Sequence, residues 1–248
     1  FIKKAATAAA AVAATPLLRP TVYGQAPSVG VIGANNRIAV AVVGVGFGIG
    51  KDHLQGIHKN CDANNTVVAA ACDLYNVRRD WAKEHANLKD SEVYPHYEDL
   101  LARKDVDAVL IATHDPNHAH ITIDAVQAGK HVYCEKPLTR YLGEAFKVYD
   151  AVKGSGKVFQ IGAQGCSATG WHKCAELISS GKVGKLVWAQ GFYCRNNAGG
   201  EWNYPLEPDT TTAANIDWNR WLGPVDKKWP FSAEDFHRWR KYFRYCGG

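Results

Sequence analysis

The chain has 248 residues, of which 46% are apolar, 21% charged and 11% aromatic, and it carries a formal net charge of +5. These values exclude a disordered or collagen-like chain and leave room for one large core or two modest ones, because domains usually run to ~100 to 200 residues. The 29 lysines and arginines are scattered through expected helices rather than gathered in one stripe, which argues against a nucleic-acid partner.

The opening stretch, FIKKAATAAAAVAATPLL, is basic, then weakly apolar and alanine-rich, then broken by Pro16. That order is read as an export signal whose first residues are missing. Phe1, Ile2 and Lys3 fit the end of a twin-arginine motif, and Gly24-Gln25-Ala26 fits a small-x-small cleavage site. The expectation is an exported, periplasmic protein, with residues 1–36 a signal remnant and linker outside the fold; a cytoplasmic protein is the alternative. The run is too short to span a bilayer, so no membrane partner is expected once it is removed.

From Arg37 onward, apolar runs alternate with amphipathic ones. RIAVAVVG reads as a strand, GKDHLQGIHKN as a helix, TVVAAACD as a strand and NVRRDWAKEHA as a helix. YEDLLARK is a helical turn or two, DAVLIAT a continuous buried strand, and NHAHITIDAVQAG a helix closed by Gly129. KHVYCE, RYLGEAFKVYDAVKGSG and KVFQIG complete the series as strand, helix and strand. Strands without internal alternation, each followed by a helix, imply a parallel sheet covered on both faces. The fold class is therefore α/β, a doubly wound Rossmann sheet over residues 37–160. Beyond it, GWHKCAELISSGKVG reads as a helix and KLVWAQGFYC as a partly alternating strand of the antiparallel kind. Residues 161–248 are expected to begin a second α+β domain with a mainly antiparallel sheet, incomplete in this chain. The seven cysteines include no CxxC pair, and four or five of them sit in or beside apolar runs as small buried hydrophobes.

The first strand runs into GVGFGIG, with Gly44, Gly46, Gly48 and Gly50. A strand-to-helix turn that seats a pyrophosphate needs glycines, because side chains would hold the phosphates off the helix N-terminus. Counting G-x-G-x-x-G from Gly44 places Ile49 at the third glycine position, which implies a loop one residue longer than usual. Asp73 ends the second strand, where a carboxylate can accept from both ribose hydroxyls and repel a 2′-phosphate; this favours NAD, although the nearby Arg78 and Arg79 keep NADP open. Thr113, Asn117, His118 and His120 follow the DAVLIAT strand at the carboxyl edge where ligands gather. His118 and His120 lack a nearby Cys or carboxylate partner, and no metal is expected. Glu135 and Lys136 emerge at the same edge, with Pro137 stiffening the corner. A lysine there can donate a hydrogen bond to a reacting hydroxyl or carbonyl.

YEDLLARKDVDAVLIAT followed by AVQAGKHVYCEKPLT resembles the N-terminal half of the Gfo/Idh/MocA family of NAD(P)-dependent oxidoreductases. From QIGAQGCS onward the chain is also similar to exported bacterial members. The resemblance implies that Lys136 is the EKP lysine touching substrate and nicotinamide, with Glu135 a neighbour of the cofactor. It implies that Gly44, Gly46, Gly48 and Asp73 hold the dinucleotide, with Thr113, Asn117 and His118 flanking it. Gln160 and Gln164 fall where relatives carry polar residues near the nicotinamide and substrate. In the family a further aspartate and histidine come from a D-x-x-x-H-like segment of the second domain, and this sequence ends at CGG, about where that segment would begin; the expectation is a fragment of a protein that is a homo-oligomer at full length. Weaker substrate candidates are His172, Arg195 and Asn196, with Lys173 and Asn197 beside them, and at most one or two of the seven tryptophans beyond residue 170.

The leading functional expectation is hydride transfer to or from a secondary alcohol of a sugar or cyclitol. One alternative uses the same cofactor for transient oxidation and elimination, making a glycosidase or lyase. Another is a non-catalytic sugar or cofactor binder.

Overall fold

The computed structural model describes residues 37–207 and 209–246. The signal-like segment, and with it the expectation of export, lies outside the described residues.

Six strands, β1 (Ile38–Val43), β2 (Thr66–Cys72), β3 (Val93–Tyr94), β4 (Ala108–Ile111), β5 (His131–Glu135) and β6 (Phe159–Gly162), form one sheet in the order β3-β2-β1-β4-β5-β6. Every pairing is parallel. The strands between them are connected through α1 (Ile49–Lys59), α2 (Cys61–Asn64), α3 (Asn76–Ala86), α4 (Tyr97–Leu101), α5 (His118–Gln127) and α6 (Leu142–Ser155). The unbroken apolar runs have the expected cause: successive strand residues bury into different cores. Ala41, Val43, Val109 and Ile111 face a core with Leu100, Ile121 and Val126, whereas Val42, Ala71 and Leu110 face one with Leu54, Ala82 and Ala86. Full burial of a side chain such as Leu54 is worth ~1.5–3 kcal/mol, enough to hold α1 firmly against the sheet. Gly129 follows α5 with φ of +81°, as the sequence predicts. The sheet continues through Gly162, two residues past the expected boundary.

Beyond the sheet the expectations need correction. α7 (Thr169–Ser179) forms, but KLVWAQGFYC makes no strand and lies exposed, with Val187, Trp188, Phe192 and Tyr193 open to solvent. A strand requires a partner for its main-chain groups, and none stands beside this segment among the described residues. Cys166, Cys174 and Cys194 are exposed in this region, whereas Cys72, Cys134 and Cys246 are buried. The final stretch takes another course. Residues 209–246, with α8 (Trp218–Leu222) and α9 (Ala233–His237), pack onto the Rossmann domain. Ile216, Trp221, Leu222, Phe236, Trp239 and Tyr245 form a third core with Tyr75. An antiparallel bridge joins Ile216 to Tyr75, and the Asn76 amide donates to the Asn215 carbonyl at 3.1 Å.

Candidate active site

The carboxyl ends of β1, β2, β4 and β5 open into one cavity of about 1050 Å³. Gly44, Asp73, Thr113, Glu135 and Lys136 line it from the sheet side. Trp202, Trp221, Trp239 and Arg240 line it from the C-terminal segment.

At the turn out of β1, Gly44 has φ of +88°, and a Cβ there would stand 2.7 Å from the Thr113 amide nitrogen. Gly50 lies in the first turn of α1, where a Cβ would meet the Gly44 carbonyl oxygen at 2.0 Å. Gly50 is thus the glycine that lets the helix pack on the loop, and the motif is G-x-G-x-x-x-G. Gly46 and Gly48 differ: a Cβ on either would meet nothing within 4 Å, and both border the cavity. The first turn of α1 has no side-chain cap, so its amides suit an anion. The glycine cradle therefore fits the pyrophosphate of a dinucleotide.

Asp73 accepts from the Gly46 amide through Oδ2 and from the Tyr75 amide through Oδ1, each at 2.9 Å. Each oxygen keeps lone-pair capacity for ribose hydroxyls. Burial raises the Asp73 pKa above the usual carboxylate value, while these two amides, Arg79 and Arg78 oppose the rise.

Glu135 is buried, and its Oε1 lies 2.7 Å from His53 Nε2 on α1. Its Oε2 accepts from the Lys136 amide at 3.2 Å. Lys136 itself is exposed on the cavity wall, in the same groove as Gly44 and Gly46.

Several candidates stand elsewhere than expected. His118 does not line the cavity: it is 1% exposed, with Nδ1 2.7 Å from the Pro137 carbonyl oxygen and Nε2 2.9 Å from that of Thr113. Two carbonyl acceptors favour a ring protonated on both nitrogens. Burial pulls its pKa down, but the Cys134 side chain and the two carbonyls outweigh burial and raise it to about 9. It fastens the Glu135–Pro137 corner to the end of β4. Asn117 reaches the cavity but donates through Nδ2 to the Trp221 carbonyl at 3.2 Å, securing the C-terminal segment. Gln164 and Arg195 line the cavity, as does His120; His172 and Asn196 lie exposed and do not border it. Among the described residues no three His, Cys, Asp or Glu side chains gather as metal ligands would.

His53 and the aromatic wall add to the groups that the sequence points to. Gly50 takes the third-glycine role, in keeping with the loop one residue longer than usual that the sequence implies. His53 carries no such signal, since its meeting with Glu135 depends on tertiary packing across 82 positions.

Residues 38–163 match the oxidoreductase family with an NAD-binding Rossmann fold. The chain is 29% identical over 192 residues to an inositol 2-dehydrogenase of Salmonella typhimurium (strain LT2), covering 77% of this chain and 56% of that protein. An inositol 2-dehydrogenase of Pseudomonas fluorescens (strain SBW25) is 30% identical over 189 residues, covering 75% and 54%. Among solved structures, scyllo-inositol dehydrogenase from Lactobacillus casei with bound NAD(H) and scyllo-inositol superposes with a TM-score of 0.56 at 26% identity, covering 60% of this chain and 42% of that one. The chain spans about half the length of the curated relatives it matches.

Proposed function

This chain belongs to the Gfo/Idh/MocA family of oxidoreductases with an NAD-binding Rossmann fold, and from that premise we propose that the protein transfers hydride to or from a secondary alcohol of a cyclitol or sugar. The observation that carries the reading is the opening of Lys136 and Glu135 into the same groove as the Gly44–Gly50 cradle and Asp73. The relatives named inositol dehydrogenases support a cyclitol as substrate class.

When bound, NAD supplies the hydride acceptor. Gly46 and Gly48 leave room for the phosphates, and Asp73 receives the ribose hydroxyls. Lys136 donates a hydrogen bond to the reacting oxygen and stabilises charge developing there. His53 holds the Glu135 carboxylate, which in turn holds the Lys136 amide, so the lysine is presented from a fixed corner. Gln164 and Arg195 are the polar groups available to orient substrate hydroxyls. Export to the periplasm belongs to the same proposal. So does homo-oligomer formation, which Leu142, Phe146 and Tyr149 support as an exposed apolar stripe on α6.

The test uses the protein expressed from its full reading frame, supplied with NAD and a panel of inositols and sugars. Formation of NADH with a cyclitol is the expected result, lowered at least ~100-fold by Lys136→Ala, while binding of ADP-ribose, which lacks the reacting ring, is unchanged. Release of an aglycone without NADH would replace the proposal by redox-neutral elimination. Binding with no turnover of any kind would leave a sugar or cofactor binder.

A further inference from the structure

Two arginines, Arg78 and Arg79, lie in the first turn of α3, a few residues after Asp73. An arginine in this position is what accommodates the 2′-phosphate of NADP in a Rossmann site. Both are already engaged. Arg79 donates through Nη1 to the Asp73 carbonyl at 2.7 Å. Arg78 is buried, its guanidinium carbon 3.8 Å from the centre of the Phe47 ring, and its Nη2 donates to Glu207 Oε1 at 2.9 Å. Glu207 comes from the C-terminal part of the chain, 129 positions away. It is held there: the Thr211 amide donates to the Glu207 carbonyl at 2.8 Å, and the Tyr75 hydroxyl, 2.6 Å from Thr210 Oγ1, stands 3.4 Å from Glu207 Oε2. Asp73, Arg78, Phe47 and Glu207 all border the one cavity.

We propose that Glu207 is a specificity-determining residue that sequesters Arg78 and so excludes dinucleotides phosphorylated at the ribose 2′ position. The inference rests on reading the groove as a dinucleotide site. Asp73 alone repels a 2′-phosphate but leaves a guanidinium next to it that could compensate. Glu207 removes that compensation by pairing with the arginine, and it adds a second carboxylate to the cavity that Asp73 borders. Phe47 covers the guanidinium face, so Arg78 can turn outward only by giving up both contacts.

The experiment is calorimetric titration of the full-length protein with ADP-ribose and with 2′-phospho-ADP-ribose. Glu207→Gln should raise affinity for the 2′-phosphorylated ligand about tenfold, the size of one freed charge-assisted hydrogen bond, with ADP-ribose affinity unchanged. Adding Arg78→Gln should abolish the gain. Where Glu207→Gln fails to fold, Glu207→Asp, which keeps the charge but shortens its reach, should give a smaller shift in the same direction. Equal shifts for both ligands, or none, would show that Glu207 merely anchors the C-terminal segment and would overturn the inference while leaving the dinucleotide site standing. If the unsubstituted protein binds neither ligand, the dinucleotide reading and this inference both fall.

Discussion

Gly48 and Gly50 lie two residues apart at the start of α1 yet answer to different constraints. A methyl group at Gly50 would stand 2.0 Å from one backbone oxygen and 2.6 Å from another, neither of which can swing aside. Gly50→Ala should therefore lower stability by about 1–3 kcal/mol, as overpacking does, visible as a lower midpoint of thermal unfolding. Gly48 has φ of −131° and open space around it. Gly48→Ala should lower that midpoint less than Gly50→Ala and weaken ADP-ribose binding instead. His118 permits a test by pH. Its pKa rises from an ordinary 6.5 to about 9 on folding, so the charged ring stabilises the fold in full below about pH 6.5. That contribution, up to about 3 kcal/mol, is lost as pH climbs through 9. Thermal unfolding followed from pH 6 to 10 should show the decline, and His118→Asn should flatten it; equal profiles for the two proteins would mean a neutral ring. Such roles divide by what the sequence makes visible. Asp73, Gly44 and Lys136 stand at strand ends, where position alone suggests ligand contact. The inward turn of His118 depends on where the Pro137 carbonyl comes to lie.

Among the elements, the five longer strands and the helices between them were legible because both faces of the inner sheet are buried, which makes its strands, β1 and β4 above all, continuous apolar words. KLVWAQGFYC has the same local preference, but strand formation is a property of pairs, and its partner is not among the described residues. The C-terminal segment was illegible for a different reason. Its tryptophans recur with no helical or strand period, so only packing shows which surface they cover. Trp221 illustrates this: its ring stacks on His114 at 4.1 Å and 5° and on Trp218 at 4.5 Å and 9°. Trp221→Ala should cost ~3–5 kcal/mol of local stability. Limited proteolysis should then cut within residues 209–246 faster, while circular dichroism from the Rossmann helices persists. Unchanged cleavage would mean that the aromatic core holds without its central ring.

On the scale of the whole molecule, the family match covers residues 38–163, and the fold beyond it is an aromatic wall raised on that platform. The cavity belongs to both, with the sheet edge supplying the glycine cradle and acids and the later segment supplying tryptophans and Arg240. Net charge and composition anticipated none of this division, because they average over it. The extended stretch around Val187, Trp188, Phe192 and Tyr193 has a further physical consequence. It joins strand-favouring side chains to main-chain groups that lack a ladder among the described residues, the combination from which intermolecular β-pairing grows. As concentration rises, molecules of this chain should adhere to one another through that ribbon, and colloidal stability will be governed by whatever shields it from its own copies.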